Sequence, residues 1–210
     1  MLEADELSHA RGDRTLFTHV SFTLRAGEAL WVSGPNGSGK TSLLRLLCGL
    51  GEPIEGEVRW KGVPIGGLGE DYRRHLLYLG HAPGVKDDLL AWENVRLGMQ
   101  IHGGACSREQ AHDALARIGL PGIAHLPTRV LSQGQRKRVA LARLLVQPPR
   151  SLLVLDEPFT ALDHESVDVL QSALGEHLDG GGLVVYTTHQ DLALGARRLH
   201  RLDLAEALAC

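Results

Sequence analysis

The sequence predicts an α/β domain built round a phosphate-binding loop, and three stretches carry that prediction. Gly34-Pro35-Asn36-Gly37-Ser38-Gly39-Lys40-Thr41 fits G-x-x-x-x-G-K-[ST] and follows Ala29-Leu30-Trp31-Val32, an apolar run that reads as a strand. Leu152-Leu153-Val154-Leu155 is a second buried-strand pattern, and it ends in the carboxylate pair Asp156-Glu157. Leu131-Ser132-Gln133-Gly134-Gln135 places a Ser and a Gly at a helix opening, a second place where backbone N–H groups and the helix dipole favour an anion.

Taken in order, Val20, Phe22 and Leu24 alternate with Ser21 and Thr23 as in a half-buried strand, and residues 1–75 read as short strands around the helix of the loop. In the loop, glycines let successive N–H groups point into one concavity, a nest for phosphate oxygens. Lys40 is expected on the β- and γ-phosphates, Thr41 on Mg²⁺, and Ser42 beside them on the helix. Ser42-Leu43-Leu44-Arg45-Leu46-Leu47 continues that helix until Gly49, Gly51 and Pro53 end it. Ala91–Ile101 reads as a helix broken by Gly103-Gly104, and Ser107-Arg108-Glu109-Gln110 as a capping box opening a second helix that ends at Gly119. A helix over Gln135–Val146 follows, with Ser132 also readable as an ordinary N-cap. After Pro148-Pro149 come the carboxylate-ending strand, a helix over Ser166–Leu178, a strand over Leu183–Tyr186 and a short tail.

Composition excludes several classes. At 210 residues the chain can bury a core unaided, and 43% hydrophobic with 22% charged residues is ordinary for a globular domain. A net charge of −3 gives no basic excess of the kind nucleic-acid binding requires, so no nucleic-acid partner is expected. No apolar run approaches about 18 residues and the N-terminus lacks a signal-peptide pattern, so a cytoplasmic chain without its own membrane span is expected. Cys48, Cys106 and Cys210 have no metal-ligand or C-x-x-C spacing, and Cys48 is expected in core packing on the loop helix. There is no internal repeat, low-complexity tract or linker.

With Leu131 to Gln135 added to the phosphate loop, the chain resembles the ATP-binding cassette (ABC) ATPases, whose signature reads LSGGQ; Gln133 stands where the family has Gly. The rest of the family pattern follows in order: the Walker B strand with Asp156 and Glu157, Ala161-Leu162-Asp163 as D-loop, and Thr187-Thr188-His189 as the switch histidine. A P-loop kinase or GTPase would explain Lys40, Thr41 and Asp156 but neither the signature nor His189. The resemblance covers essentially the whole chain. It implies a single domain over 1–210 with a P-loop NTPase core, an antiparallel β subdomain and a small helical subdomain inserted over roughly 85–145. It implies ATP and Mg²⁺ as ligands, with Asp156 and Thr41 toward the metal, and Glu157 and His189 as catalytic residues. Ser132, Gly134, Gln135 and Asp163 would complete the phosphate site of a second copy in an ATP-dependent head-to-tail homodimer.

Two departures concern the site. Where the family carries a loop Gln that contacts Mg²⁺ and answers to the membrane partner, Leu79-Gly80-His81-Ala82-Pro83 offers His81; an imidazole can accept from water or ligate a cation, and an exposed loop histidine is the plain alternative. Where the family stacks an aromatic on adenine, Arg11 precedes Gly12, and a guanidinium plane also stacks on a base. Gly80-His81, Pro83-Gly84, Glu93-Asn94, Asp156 to Asp163 and Thr187-Thr188-His189-Gln190 are together similar to the ATPase subunits of the bacterial cytochrome c maturation system. That implies separate integral-membrane permease subunits, a peripheral position on the cytoplasmic face of the inner membrane, and work on haem export or haem-chaperone release. A soluble, non-transport ABC ATPase, or the subunit of another small transporter, is the alternative. Direct haem binding is not expected, since the 11 histidines are dispersed and no Cys–His pair has haem-attachment spacing.

Overall fold

The computed structural model describes residues 1–101, 103–146, 151–190 and 194–208. Strands β1 (Leu2–Arg11) and β2 (Arg14–Leu24) form a hairpin across Gly12-Asp13, Leu2 facing Leu24 and Ala10 facing Thr15. They are 10 and 11 residues long, so this part of the chain is built of longer strands than the sequence predicted. Then come β3 (Glu28–Ser33), α1 (Lys40–Leu47), β4 (Glu55–Trp60), β5 (Val63–Pro64), the short helices α2 (Ile65–Leu68) and α3 (Glu70–His75), and β6 (Leu76–Leu79). A helical layer follows, with α4 (Ala91–Ile101), α5 (Arg108–Arg117), α6 (Gln133–Leu141) and α7 (Arg143–Val146). The chain then returns through β7 (Leu152–Leu155), α8 (His164–Asp179), β8 (Leu183–Thr187) and β9 (Arg198–Asp203).

Two sheets result: an antiparallel one in the order β2-β1-β4-β5, and a parallel one in the order β6-β7-β8-β3-β9. The central parallel strands are covered on both faces, which is why they are continuously apolar rather than alternating. In β7, Leu152 and Val154 pack with α1 and the antiparallel sheet, whereas Leu153 and Leu155 pack with the helical layer and α8. Each such leucine contributes about 2 kcal/mol of burial free energy. Parallel strands covered in this way present only their C-terminal ends to a ligand, and there the loops after β3, β6, β7 and β8 meet.

Ala91–Ile101 forms the predicted helix, and the capping box at Ser107 is present: its hydroxyl accepts from Gln110 N at 3.2 Å while Gln110 Oε1 accepts from Ser107 N at 2.8 Å. Buried Asn94 clamps the start of this layer, its Oδ1 accepting from Lys86 N at 2.6 Å and its Nδ2 donating to Thr128 Oγ1 at 3.3 Å. The predicted Gln135–Val146 helix begins earlier, at Gln133, and is divided at Ala142. Arg143 Nε donates to the Ala140 carbonyl at 2.9 Å, an acceptor that an unbroken helix would give to the Leu144 N–H. Gly98 makes room for that arginine, since a Cβ there would lie 2.2 Å from Arg143 Cδ.

Other corrections concern boundaries and two missed segments. Helix α8 starts at His164 because Asp163 is its N-cap, accepting from Ser166 N at 2.9 Å. The predicted short tail contains β9, an edge strand paired with β3, whose polar, half-exposed residues hide any alternation. Ile65–Leu68 and Glu70–His75, read as part of the strand region, are helical; Glu70-Asp71 at the start of α3 and Arg73-Arg74-His75 at its end suit the helix dipole. Pro148, Pro149 and Cys210 lie outside the described residues. Cys48 is 3% exposed in the core, where burial pushes its thiol pKa up. Among the described residues no helix is long and apolar enough to cross a membrane.

Candidate functional site

The phosphate loop leaves β3 and enters α1 through backbone that only glycine adopts cheaply. Gly34 lies at φ +140°, where a Cβ would sit 2.7 Å from Ser38 Oγ. Gly39 caps α1 at φ +99°, its position for a Cβ only 3.0 Å from Leu16 Cβ and 3.1 Å from Phe17 Cδ1 of β2. The loop is therefore pressed against the antiparallel sheet, and its shape is fixed from outside as well as by its own sequence. Lys40, 9% exposed, folds back so that Nζ donates to the Gly34 and Pro35 carbonyls at 2.7 and 3.1 Å.

The carboxylate pair at the end of β7 meets this loop from two strands away, with β8 lying between β7 and β3. Asp156 is 4% exposed; its Oδ2 accepts from Thr41 Oγ1 and its Oδ1 from Thr187 Oγ1, both at 2.8 Å. Glu157 has left-handed backbone at φ +52°, and its N–H donates to Thr187 Oγ1 at 2.8 Å. Its Oε2 accepts from Thr160 Oγ1 at 3.3 Å. Its other oxygen, Oε1, is buried without a hydrogen bond, with His189 Nε2 3.4 Å away. Ser38 Oγ is buried and unpartnered too. Orphaned polar atoms are uncommon in folded chains, and finding them at a phosphate loop and beside its acid marks a place prepared for a polar ligand.

These residues line one cavity of about 560 Å³: Asn36, Gly37, Gly39, Lys40, Thr41 and Ser42 from the loop and α1, with Asp156, Glu157, His189, His81 and Arg11. Sequence reasoning missed Arg14 and Thr160, which also line it. Arg14 was open to notice, since it pairs with Arg11 across the hairpin turn at the cavity mouth. It missed Lys137 as well, whose Nζ donates to the Glu157 carbonyl and ties α6 to the carboxylate strand; burial lowers this lysine's pKa against the opposing pull of Glu157 and Asp156. His81 is exposed and also lines a neighbouring cavity of about 510 Å³ with Arg45, Tyr78 and Arg143. The Tyr78 phenol there is pushed up to about 12, chiefly by burial and then by Asp156. A larger cavity of about 800 Å³, between α3 and the end of α4, holds none of the predicted site residues.

Ser132, Gly134, Gln135 and Asp163 do not line the Lys40 cavity. Ser132 Oγ accepts from Gln135 N at 3.2 Å and Gln135 Oε1 from Ser132 N at 2.9 Å, a complete capping box on an exposed helix start. Asp163 Oδ2 accepts from Arg138 Nη1 at 2.9 Å, and its hydrogen bonds with Ser166, then Arg138, hold its carboxyl below the usual range.

Residues 17–160 match the family described as ABC transporter. The cytochrome c biogenesis ATP-binding export protein CcmA of Nitrosomonas europaea is 52% identical over 205 residues, 98% of this chain and 96% of the relative. Among solved structures, a putative ABC transporter ATP-binding protein from Pyrococcus furiosus superposes with a TM-score of 0.81 at 26% identity, covering 98% of both chains. The dimeric post-hydrolysis state of the ATP-binding cassette MJ0796, bound to ADP and phosphate, superposes at 0.77 with 28% identity over 90% of this chain and 88% of that one. The chain belongs to the ABC transporter family, as an ATP-binding cassette of its cytochrome c biogenesis export branch.

Proposed function

We propose that this chain binds MgATP in the Lys40 cavity and hydrolyses it to drive a transporter of cytochrome c biogenesis, exporting haem or releasing a haem-loaded chaperone. The observation that carries the reading is one cavity lined together by Lys40, Thr41, Asp156, Glu157 and His189. Loop N–H groups and the start of α1 hold the phosphates, and Lys40 exchanges its two carbonyl partners for β- and γ-phosphate oxygens. Arg11, with Arg14, takes the face of the base. Thr41 Oγ1 and the Asp156 carboxylate, 2.8 Å apart, are hard oxygen donors of the kind Mg²⁺ selects. Once bound there, Mg²⁺ neutralises charge on the phosphate oxygens. Glu157 polarises the attacking water and His189 orients it against the γ-phosphate.

The signature residues serve a second copy. Ser132 Oγ uses a lone pair for its own helix cap and still has its O–H to donate, and the Gly134 N–H opens at the exposed helix start. Two chains packed head to tail would each close the other's cavity, with Gln135 and Asp163 at the seam. The layer over roughly 85–145 is the helical subdomain of one cassette domain spanning 1–210. The chain then works at the cytoplasmic face of the inner membrane, bound to separate integral-membrane permease subunits.

His81 is the residue of this reading that answers to the partner, because it lies on both the nucleotide cavity and the neighbouring one. His81→Gln, which keeps one acceptor at similar reach, is expected to retain most basal and stimulated hydrolysis. His81→Ala is expected to keep basal hydrolysis within about twofold but to lose most stimulation by the membrane subunits, a loss of the order seen when one positioning contact is removed. ATPase rates of the three proteins, alone and co-purified with the membrane subunits, test this. Equal stimulation of His81→Ala and the parent would make His81 a plain loop residue, and no stimulation of the parent would remove the transport reading.

A further inference from the structure

We infer that Thr187, buried at the end of β8, is a positioning residue that sets both carboxylates of the site. The inference rests on the roles proposed above for Asp156 and Glu157. Its hydroxyl ties the Asp156 carboxylate to the Glu157 backbone: it donates to Asp156 Oδ1 and accepts from Glu157 N, each at 2.8 Å. Thr187 is 0% exposed and does not line the cavity, so it acts on the reaction only through these two neighbours.

The backbone explains why the site needs such a group. Asp156, the first residue past β7, is still tied to the neighbouring strand β6, its N–H donating to the Leu79 carbonyl at 2.8 Å. The next residue leaves the sheet abruptly. Glu157 turns to φ +52°, a conformation that side-chain-bearing residues avoid unless their surroundings impose it. Its N–H then points back at β8, where a buried donor without a partner would be costly. The Thr187 hydroxyl satisfies that donor, and having used its lone pair it directs its own proton at Asp156. Thr41 Oγ1 holds the other Asp156 oxygen, so both oxygens of that carboxylate are set in direction. A chain of hydrogen bonds thus runs from Thr41 through Asp156 and Thr187 to the amide of Glu157, and the angle at which Glu157 leaves the strand depends on it.

Valine would fill the same volume with the same β-branching and offer neither donor nor acceptor. Thr187→Val is therefore expected to lower kcat for ATP by roughly tenfold or more with KM changed less than about twofold, because Lys40 and the loop N–H groups that hold the phosphates stay in place while the two acids are misaimed. Affinity for ATP in excess chelator, read with a fluorescent analogue, is expected to match the parent. Thr187→Ser keeps the hydroxyl and is expected to stay within about threefold of the parent kcat. Amide exchange of Glu157 gives a readout independent of turnover: protected in the parent and in Thr187→Ser, fast in Thr187→Val. Parent-like kcat in Thr187→Val overturns the inference, as does equal impairment of the Val and Ser variants. Fast exchange of the Glu157 amide in the parent overturns it too, whether or not Thr187→Val folds. Glu157→Gln assayed alongside separates the two layers: an inactive Glu157→Gln with a fully active Thr187→Val defeats this inference alone, whereas an active Glu157→Gln defeats the reading beneath it.

Discussion

Glu157→Gln is expected to lower ATP turnover by at least about a hundredfold while MgATP still binds. The amide has nearly the shape of the acid, and its Oε can keep accepting from Thr160 Oγ1, now at 3.3 Å to the Glu157 carboxylate. What disappears is the negative charge and the basicity at Oε1, the buried oxygen without a hydrogen bond that faces the cavity and His189. Phosphoryl transfer asks little of a protein beyond position and charge, so removing the charge that polarises the water removes most of what this residue contributes. Phosphate release with the purified variant, set beside fluorescent-nucleotide binding, checks both halves. A near-parental rate would mean that another group polarises the water.

Lys40→Ala is expected to act on the opposite half of the problem, weakening ATP binding roughly ten- to a hundredfold, as loss of one charge-assisted hydrogen bond of about 1.5–3 kcal/mol predicts. Lys40 is the buried cation of the cavity; Arg11 and Arg14, its other cations among the described residues, are exposed at the mouth. The ammonium belongs with the outer phosphates, so the loss should be large for ATP and small for AMP. Equilibrium binding of the two nucleotides measures this. Equal losses for ATP and AMP would instead indicate a collapsed loop, following loss of the Lys40 bonds to the Gly34 and Pro35 carbonyls.

Much of this site was readable from the sequence because its chemistry constrains residue types locally. Gly34 and Gly39 sit at positive φ with no room for a side chain, Lys40 and Thr41 follow at fixed helical offsets, and Asp156-Glu157 ends a strand too apolar to be anything but buried. The capping box at Ser107 was visible as Ser followed by Gln at the third position, whereas Ser132, which has the same spacing to Gln135 and also forms a box, was read only as an N-cap. What stayed hidden depends on contacts between distant segments. Lys137 reaches the Glu157 carbonyl across from α6, and Thr187 joins the Asp156 carboxylate to the Glu157 amide because β8 lies next to β7 in register. Neither pairing has a local signature. Strand β9 was missed for a different reason: as an exposed edge strand it is selected by pairing with β3 and not by hydrophobic alternation. Asp163 gave an N-cap signal that was passed over in favour of its motif role, and the helix therefore starts two residues before the predicted Ser166.

The structure leaves the signature face and the Lys40 cavity as separate surfaces of one chain, and the central claim is that a second copy brings them together. Light scattering of Glu157→Gln at high protein concentration, with and without MgATP, tests it most directly, since slow turnover preserves the ATP-bound state. The account predicts a monomer without nucleotide, a doubled mass with MgATP, and no doubling once Ser132→Arg adds a bulky cation at the exposed helix start. An unchanged monomer mass with MgATP, under conditions where nucleotide binding is saturated, would contradict it.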